Sequence, residues 1–271
     1  MSTEDHATRS VLTNIRSERF RRVRALSRRA ARVKEGRFLV EGPQGVREAV
    51  AWRPDLVVDI YVDEEGRARC SDIVAAAVEA GLYVHDVSRE VLAQMCDTPS
   101  PQGILAVVKH PDVSLDEVLA DGPRLVVLLA SVRDPGNAGT VLRGADAMGA
   151  DAVLIGEASV DVYNPKVVRS TVGSLFHLPV VTDVPVLPTL TRLRDAGVVA
   201  YAADAAGSLP IGDADLTRPH VWVMGNEAWG LPQELRDACD EVVSIPLRRA
   251  ESLNLAMAAT ICLYASTAAR T

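Results

Sequence analysis

The chain has 271 residues, of which 48% are hydrophobic and 24% are charged, and its formal net charge is −7. This length and composition exclude a disordered or fibrous protein and predict a soluble globular protein that buries a core of ordinary size. The net charge alone argues against a nucleic-acid partner, but residues 1–40 carry eleven Arg or Lys against four Asp or Glu, whereas the remainder carries eighteen against thirty-two.

The first predicted element is a basic amphipathic helix over residues 15–38, IRSERFRRVRALSRRAARVKEGRF. Its expected inner face carries apolar or small residues at three- and four-residue steps, namely Phe20, Val23, Leu26, Ala30 and Val33. The arginines of the outer face form either a plain solvated surface or a phosphate-binding one, and their excess over nearby acids favours phosphate. The arginines that we expect to contact nucleic acid are Arg21, Arg22, Arg28 and Arg29.

After this helix, strand-like and helical patterns alternate. Strands are predicted at 38–42, 56–62, 81–87 and 103–110, with helices near 44–52, 70–80 and 88–96. The alternation predicts a small α/β unit. The acidic, turn-rich segment 110–123 that follows is expected to be a linker.

A second alternation begins at residue 124 with the apolar run RLVVLLASV, which is typical of a strand buried on both faces. Further strands are predicted at 152–156, 197–204, 220–225 and 241–247, with helices near 138–150, 165–176, 186–196 and 231–239. This order predicts a parallel, layered α/β sheet. Such sheets bind ligands outside the carboxyl ends of their strands.

The closing segment ESLNLAMAATICLYASTAAR has no charged side chain between Glu251 and Arg270. It barely reaches the length of a membrane span and contains Ser, Thr and Asn, so we predict a helix buried against the sheet or a second subunit instead. Ser252 and Asn254 suit the start of this helix, where side-chain oxygens accept hydrogen bonds from free backbone amides.

Three polar clusters follow predicted strand ends. In the first, SVRDPGNAGTVLRGADAMGA, Asn137 is a candidate helix cap, and Arg143 either faces solvent or meets an anion. In the second, NPKVVRSTVGSLF, Lys166, Arg169 and Ser170 lie near a helix start that suits phosphate, although a plain capped helix is equally open.

The third cluster combines VMGNEAWGLPQEL with SIPLRRAESLNLA. Gly225 and Gly230 flank a loop in which the backbone can approach a small molecule closely. Neither a dinucleotide-binding nor a Walker fingerprint is present, and the spacing of these residues does not by itself identify a reaction. The cysteines Cys70, Cys96, Cys239 and Cys262 lack zinc-site or disulfide spacing, which predicts reduced cytoplasmic thiols and no metal.

The three clusters, in this order, resemble the three motifs of the SpoU/TrmH family of RNA ribose 2′-O-methyltransferases, in the SPOUT superfamily; the middle motif also resembles the thiostrepton-resistance branch. The segment FLVEGPQGVREA resembles that family's ribosomal-protein-like RNA substrate-binding domain. The implied fold is α/β, with a C-terminal parallel-sheet SPOUT domain containing a trefoil knot, preceded by a small α/β RNA-binding domain. The implied borders are a basic helical arm at 1–37, the RNA-binding domain at 38–112, a linker at 113–123 and the methyltransferase domain at 124–271.

The resemblance implies methyl transfer from S-adenosylmethionine to a ribose 2′-hydroxyl by a cytoplasmic homodimer without a metal, in 23S rRNA rather than tRNA. The implied catalytic residues are Arg143, Asn137, Glu227 and Asn254. The implied cofactor residues are Gly225, Glu227, Ile245, Leu247, Ser252, Leu253 and Asn254. The implied RNA contacts are Lys166, Arg169 and Ser170. Two other functions stay open at this point: a non-catalytic RNA-binding or ribosome assembly factor, and a small-molecule α/β enzyme.

Overall fold

The computed structural model of the protein describes residues 11–226 and 228–270. Its contacts divide the chain into two compact units. The first comprises the residues up to His110 together with Tyr163–Arg169, and the second comprises Pro111–Val162 and the residues from Ser170 onward.

The first unit is a four-stranded sheet with helices. Its elements are α1 (Glu18–Ala25), α2 (Arg29–Glu35), β1 (Arg37–Glu41), α3 (Pro43–Trp52), β2 (Val57–Val62), α4 (Glu64–Arg69), α5 (Ser71–Glu79), β3 (Val84–Asp86), α6 (Arg89–Met95) and β4 (Ile104–Lys109). The strand order is β1-β4-β2-β3, and only β2 and β3 run parallel. The predicted strands of this unit are therefore confirmed, whereas α4 was not predicted.

The basic segment forms two helices instead of the single helix predicted over 15–38. Phe20, Val23 and Leu26 are buried as expected, but Val33 is 69% exposed. The chain turns after Leu26, and α2 buries Arg32 instead, whose guanidinium donates to the carbonyls of Leu26 and Ser27 at 2.9 and 2.8 Å. The inner face predicted from one continuous helical period therefore ends at Leu26, and α1 packs into the core of the first unit.

The second unit contains a seven-stranded sheet in which every neighbouring pair is parallel, as predicted. Its elements are α7 (Leu115–Ala120), β5 (Leu125–Leu129), α8 (Pro135–Ala147), β6 (Ala152–Gly156), α9 (Pro165–Thr171), β7 (Val180–Val184), α10 (Val186–Asp195), β8 (Val199–Ala203), β9 (Leu209–Pro210), β10 (His220–Met224), α11 (Gln233–Ala238), β11 (Glu241–Ser244) and α12 (Leu255–Ala268). The order is β7-β6-β5-β10-β8-β11-β9. Most of α9 groups with the first unit. The trefoil knot stays a prediction.

The residues expected to form a linker are instead part of the second unit. Within 113–123, Ser114 and Glu117 form a capping box at the start of α7, and Leu115 and Val118 join the core of the unit. The acidic composition of this segment therefore reflects the first turn of a helix, where carboxylates are favourable, rather than an unstructured connection.

Helix α12 confirms the interpretation of the charge-free segment as a helix packed on the sheet. Asn254 is its N-cap, and Oδ1 accepts hydrogen bonds from the amides of Ala256 and Met257 at 2.9 and 3.3 Å. On its buried side the hydroxyl of Ser266 lies 2.8 Å from both the indole nitrogen of Trp222 and Nε2 of His220. Within the part of the chain that the structure describes, no helix has the length and apolar character needed to cross a membrane.

Candidate active site

A cavity of about 390 Å³ lies at the carboxyl ends of three strands in the second unit. Asp204, Gly225 and Ile245 line it, and each stands directly after its strand, β8, β10 and β11 respectively. The site predicted near residues 225–255 therefore forms where open parallel sheets bind ligands. The volume is within the range of roughly 300–1,000 Å³ typical of small-molecule sites.

Gly225 is a glycine for a steric reason. A Cβ atom at this position would lie 2.5 Å from the carbonyl of Gly230, because the loop folds back on itself. Asn226 and Gly230 exchange two backbone hydrogen bonds of 2.9 Å, and Asn226 Oδ1 accepts from the amide of Ala228 at 2.8 Å. Asn226 Nδ2 donates to the carbonyl of Ser131 beyond β5 at 3.0 Å. The loop is therefore fixed to the neighbouring strand end.

Most of the residues implied for the cofactor line this cavity, namely Gly225, Ile245, Leu247, Ser252 and Leu253. Asn254 is not part of the lining but caps α12 immediately beyond it. Glu227 lies outside the described residues. The cofactor and catalytic roles of these residues stay predictions.

The starts of α8 and α12 meet through two asparagines. Asn254 Nδ2 donates to Asn137 Oδ1 at 3.0 Å. The sequence suggested Asn137 as the N-cap of α8, but the N-cap is Asp134. The Asp134 carboxylate accepts a hydrogen bond from the backbone amide of Asn137 at 2.8 Å. The helix begins earlier than predicted because Pro135, with its fixed φ, occupies the first helical position.

Arg143 lies on α8 and is exposed. Among the residues that the structure describes, its side chain makes no hydrogen bond or ion pair. The neighbouring Gly144 packs against α12, since a Cβ atom there would lie 3.5 Å from Oγ1 of Thr260. Arg143 is thus a cation on a helix that α12 holds in place, and no carboxylate of the described chain offsets its charge.

The second motif shows a different arrangement. Arg169 pairs with Glu41 at 3.0 Å and with Asp97 at 3.1 Å, and the side chain of Glu41 is only 3% exposed. Two carboxylates therefore already offset the charge of Arg169, which favours a structural role over the RNA contact that the sequence suggested. Lys166 is exposed, and its backbone amide donates to Oδ1 of Asn164 at 2.9 Å. Ser170 is partly buried.

The arginines proposed for RNA on the basic helices are all exposed, namely Arg21, Arg22, Arg28 and Arg29. Arg22 lies 3.6 Å from Glu18 on a surface where such pairs contribute little. These side chains form a solvated cationic surface on the first unit, as expected, and contact with RNA stays a prediction.

Sequence reasoning missed Asp204 and Arg236 at the cavity, whereas Trp229 belongs to the third cluster that it had identified. The Asp204 carboxylate lies in its wall, 3.4 Å from the guanidinium of Arg236, and its position directly after a strand was the available signal. Trp229 also lines the cavity, 59% exposed, and the Arg133 guanidinium carbon lies 5.3 Å from its ring centroid. Among residues 11–226 and 228–270, no three His, Cys, Asp or Glu side chains are placed to hold a metal ion.

Family models match both parts of the chain. The model of the SpoU rRNA Methylase family matches residues 124–264, and that of the MRM3-like substrate binding domain matches residues 17–106. The first match contains all three motifs and the cavity described above. The second contains α1 and α2, so the basic helices belong to the matched domain.

Two similar proteins act on ribosomal RNA. The 23S rRNA (guanosine(2553)-2′-O)-methyltransferase RlmP of Bacillus subtilis is 36% identical over 86% of this chain and 89% of its own length. The 23S rRNA (uridine(2479)-2′-O)-methyltransferase of Streptomyces viridochromogenes is 34% identical over 92% and 89%.

Solved structures extend the similarity to nearly the whole chain. The SpoU methyltransferase AviRb from Streptomyces viridochromogenes, in complex with the cofactor AdoMet, has a TM-score of 0.81 at 33% identity and covers 94% of this chain and 99% of its own. An AdoMet-bound rRNA methyltransferase from Sinorhizobium meliloti has a TM-score of 0.82 at 29% identity, covering 95% and 97%.

Proposed function

The chain belongs to the SpoU rRNA methylase family, and from this premise we propose that it methylates a ribose 2′-hydroxyl of 23S ribosomal RNA. As a member of that family it is an RNA ribose 2′-O-methyltransferase that uses S-adenosylmethionine. The observation that carries the proposal is the cavity at the carboxyl ends of β8, β10 and β11, because its lining consists largely of the residues of the third motif.

The side chains of the cavity fit S-adenosylmethionine. Ile245, Leu247 and Leu253 offer apolar contacts to an adenine ring, while Ser252 and Asp204 add polar groups. At Gly225 the absence of a Cβ atom lets the loop close against the carbonyl of Gly230 at the edge of the cavity. This combination of apolar walls with a few polar groups is typical of cofactor sites.

S-adenosylmethionine, when bound, supplies an activated methyl group to a ribose oxygen that must lose its proton. The guanidinium of Arg143 is not normally deprotonated in a protein, so we assign Arg143 to a different task than that of base. It stabilises the negative charge that develops on the 2′ oxygen and positions the adjacent phosphate, while the proton leaves to phosphate or water. Stabilisation of this kind is worth about 3 kcal/mol.

An Arg143→Lys variant separates these two roles. We expect most of the activity to be lost with no displacement of the pH–rate profile, because an ammonium cannot reproduce the planar donor geometry of a guanidinium. If the variant kept most activity and its profile moved to lower pH, residue 143 would be the base, and the assignment above would be wrong.

Two observations support ribosomal RNA over tRNA. The relatives described above modify 23S rRNA, and a substrate-binding domain model matches the first unit, whose helices carry exposed arginines. A non-catalytic RNA-binding or assembly factor with the same fold is the second candidate. Arg143, Asn137 and Asn254 all remain in this chain, and two of them are hydrogen-bonded to each other, which favours the enzyme.

The decisive experiment uses total RNA from cells that lack the protein. The purified protein and labelled S-adenosylmethionine are added, and labelled sites are mapped by their resistance to alkaline cleavage. We expect label at a single site in 23S rRNA. Label confined to tRNA would correct the substrate. Absence of S-adenosylmethionine binding would favour the non-catalytic factor, whereas binding without labelling calls for the same assay on partly assembled ribosomal particles.

We also propose that the protein is a homodimer formed through α12. Met257, Ile261 and Tyr264 are 58%, 37% and 64% exposed and recur at helical spacing along this element, so together they form an apolar stripe. We expect an Ile261→Asp, Tyr264→Asp double variant to sediment as a monomer. Val78→Asp, at a valine 52% exposed on α5, is the matched control and should leave the mass of the wild-type species unchanged.

RNA contacts are proposed for the exposed cations of the first unit, namely Arg21, Arg22, Arg28, Arg29 and Lys166. Each phosphate contact that is removed should weaken RNA binding and lower the slope of log Kd against log salt concentration by about one.

A ribosomal RNA substrate and four free cysteines both favour the cytoplasm as the place of action.

A further inference from the structure

The indole of Trp229 is exposed at the edge of the cavity, in the loop that carries the third motif. Its side chain is 59% exposed, whereas Trp222 in the neighbouring strand β10 is 1% exposed. Single exposed aromatic residues are common on protein surfaces, so exposure alone has no functional meaning. The surroundings of Trp229 are what distinguish it.

Hydrogen bonds hold the base of the loop that carries the indole. Asn226 and Gly230, which precede and follow Trp229 in the loop, pair through two backbone hydrogen bonds. The side chain of Asn226 also donates a hydrogen bond to the carbonyl of Ser131. Two residues after Ser131, Arg133 places its guanidinium carbon 5.3 Å from the centroid of the Trp229 ring. The first and third motifs therefore meet in a cation–π pair, which orders both side chains.

The charge of this pair indicates which ligand it suits. Arg133 immediately precedes Asp134, the N-cap of the helix that carries Arg143. RNA brings one negative charge per nucleotide to such a cation, whereas the sulfonium and ammonium of S-adenosylmethionine outweigh its single carboxylate and leave a net positive charge. An aromatic ring beside an arginine is the combination with which proteins hold unpaired nucleobases, by stacking on the ring and by attraction of the phosphate.

We propose that Trp229 is the stacking surface for a nucleobase of the RNA at or next to the methylated ribose, with Arg133 supporting the ring and meeting the RNA backbone. This inference rests on the proposed function and assigns a further substrate-positioning residue to it. The ligand is an unpaired base, so the target nucleotide or its neighbour leaves the helical stack when the RNA binds.

The first test separates RNA binding from cofactor binding. For Trp229→Ala we expect the KM for a 23S rRNA fragment to rise about tenfold, a typical effect of removing an aromatic ring that stacks on one base. The Kd for S-adenosylmethionine, measured by calorimetry, should stay within twofold of the wild type. Trp229→Phe should recover most of the loss, because a smaller ring still stacks. Trp52→Ala is the matched control, since Trp52 is 60% exposed on α3 of the first unit, and it should change neither constant.

Two results would overturn the proposal. If Trp229→Ala weakened S-adenosylmethionine binding as strongly as it raised the KM for RNA, the indole would be part of the cofactor site. If the KM for RNA did not change, or if Trp229→Phe were as defective as Trp229→Ala, no stacking would take place.

A second measurement does not depend on turnover. In a Trp52→Phe background only the buried Trp222 and the exposed Trp229 emit, so quenching of the fluorescence by the rRNA fragment reports on Trp229. We expect quenching that disappears in the Trp229→Phe variant. Trp52→Phe protein that is quenched by the fragment but does not methylate it would contradict the proposed reaction and support stacking. Trp52→Phe protein that methylates the fragment without quenching would support the reaction and overturn stacking.

Discussion

The two ends of the parallel sheet in the second unit use the same kinds of side chain differently. At the amino end, the Asp151 carboxylate accepts two backbone amides at the start of β5, at 2.7 and 2.8 Å, and Asp240 accepts the amide of Ala200 at 2.7 Å. At the carboxyl end, Asp204 lies in the cavity wall instead, beside loops that Asn226 holds in place. The carboxylates of the first end complete the backbone hydrogen bonding of the sheet, whereas the polar groups of the second end line a binding site.

This difference predicts that stability and activity can be changed separately. Substitutions at the amino end should lower the free energy of unfolding and leave methyl transfer intact in the protein that remains folded. Substitutions at the carboxyl end should lower methyl transfer and leave the free energy of unfolding unchanged. The variants below test this separation in order of decreasing expected effect.

Arg143→Ala at the carboxyl end should have the largest effect. We expect kcat to fall by about two to three orders of magnitude, as is usual when one donor to a developing oxyanion is removed. The thermal unfolding temperature should not change, because Arg143 is exposed and bonded to no described side chain. A large loss of stability in this variant would show that stability and activity cannot be changed separately at this end of the sheet.

Ser266→Ala at the amino end should lower the free energy of unfolding by about 2 kcal/mol, because buried polar groups on β10 lose their partner. The hydroxyl lies 2.8 Å from the Trp222 indole nitrogen and from His220 Nε2, and Ser266 is fully buried. Urea titration measures the effect. Thr191→Ala, at an exposed threonine on α10, is the control and should change stability by less than about 0.5 kcal/mol. The Kd for S-adenosylmethionine of the folded Ser266→Ala variant should match that of the wild type.

Gly225→Ala should weaken S-adenosylmethionine binding by about tenfold, a difference of about 1.4 kcal/mol. The added methyl group would stand 2.5 Å from the Gly230 carbonyl, so the loop must shift at the edge of the cavity. Gly212→Ala is the matched control, because a Cβ atom there meets nothing within 4 Å. Equal affinity in the two variants would show that the cofactor does not use this loop.

The smallest effect concerns pH and His220, at the start of β10. Burial lowers the pKa of His220, while its hydrogen bond to the Arg218 carbonyl acts in the opposite direction. The unfolded chain therefore binds a proton more readily, and stability that is present at neutral pH is lost as the pH falls below about 6.5, the ordinary histidine pKa. The unfolding temperature should decline over this range in the wild type and decline less in His220→Gln. An identical decline in both proteins would assign the effect to other groups.

The sequence predicted the parallel sheet and five of its seven strands, because those five are continuous apolar runs bounded by turns. It missed β7, in which Thr182 and Asp183 interrupt the apolar run, and β9, which has only two residues. It also placed a ligand site near residues 225–255, where Gly225 follows a strand end, whereas Ile245 and Leu247 were implied only by the resemblance of the third motif. These features depend on local pattern and on the general behaviour of parallel sheets, both of which can be judged from one chain.

The features that sequence reasoning missed depend on contacts that the periodicity of the sequence does not specify, two of them between residues far apart in the chain. Arg32 looked like one more outer-face arginine, but its position is fixed by two carbonyls of the preceding turn. The RNA contact of Arg169 stays a prediction, but its ion pair with Glu41, which is 128 positions away, could not be read from the sequence. The pairing of Arg133 with Trp229 likewise joins two motifs that are far apart in the chain. Residue type gives no sign of a partner that only folding brings close.

The side-chain amide of Asn254 accepts hydrogen bonds through its oxygen and donates one through its nitrogen, so loss of the nitrogen would affect only one of the two roles. Deamidation to aspartate would preserve the cap of α12, because a carboxylate also accepts backbone amides and is favoured at a helix start. The link to Asn137 would be lost, since a carboxylate has no hydrogen to donate. An aged preparation would therefore melt at the normal temperature while the hydrogen bond between the starts of α8 and α12 at the site had already been lost.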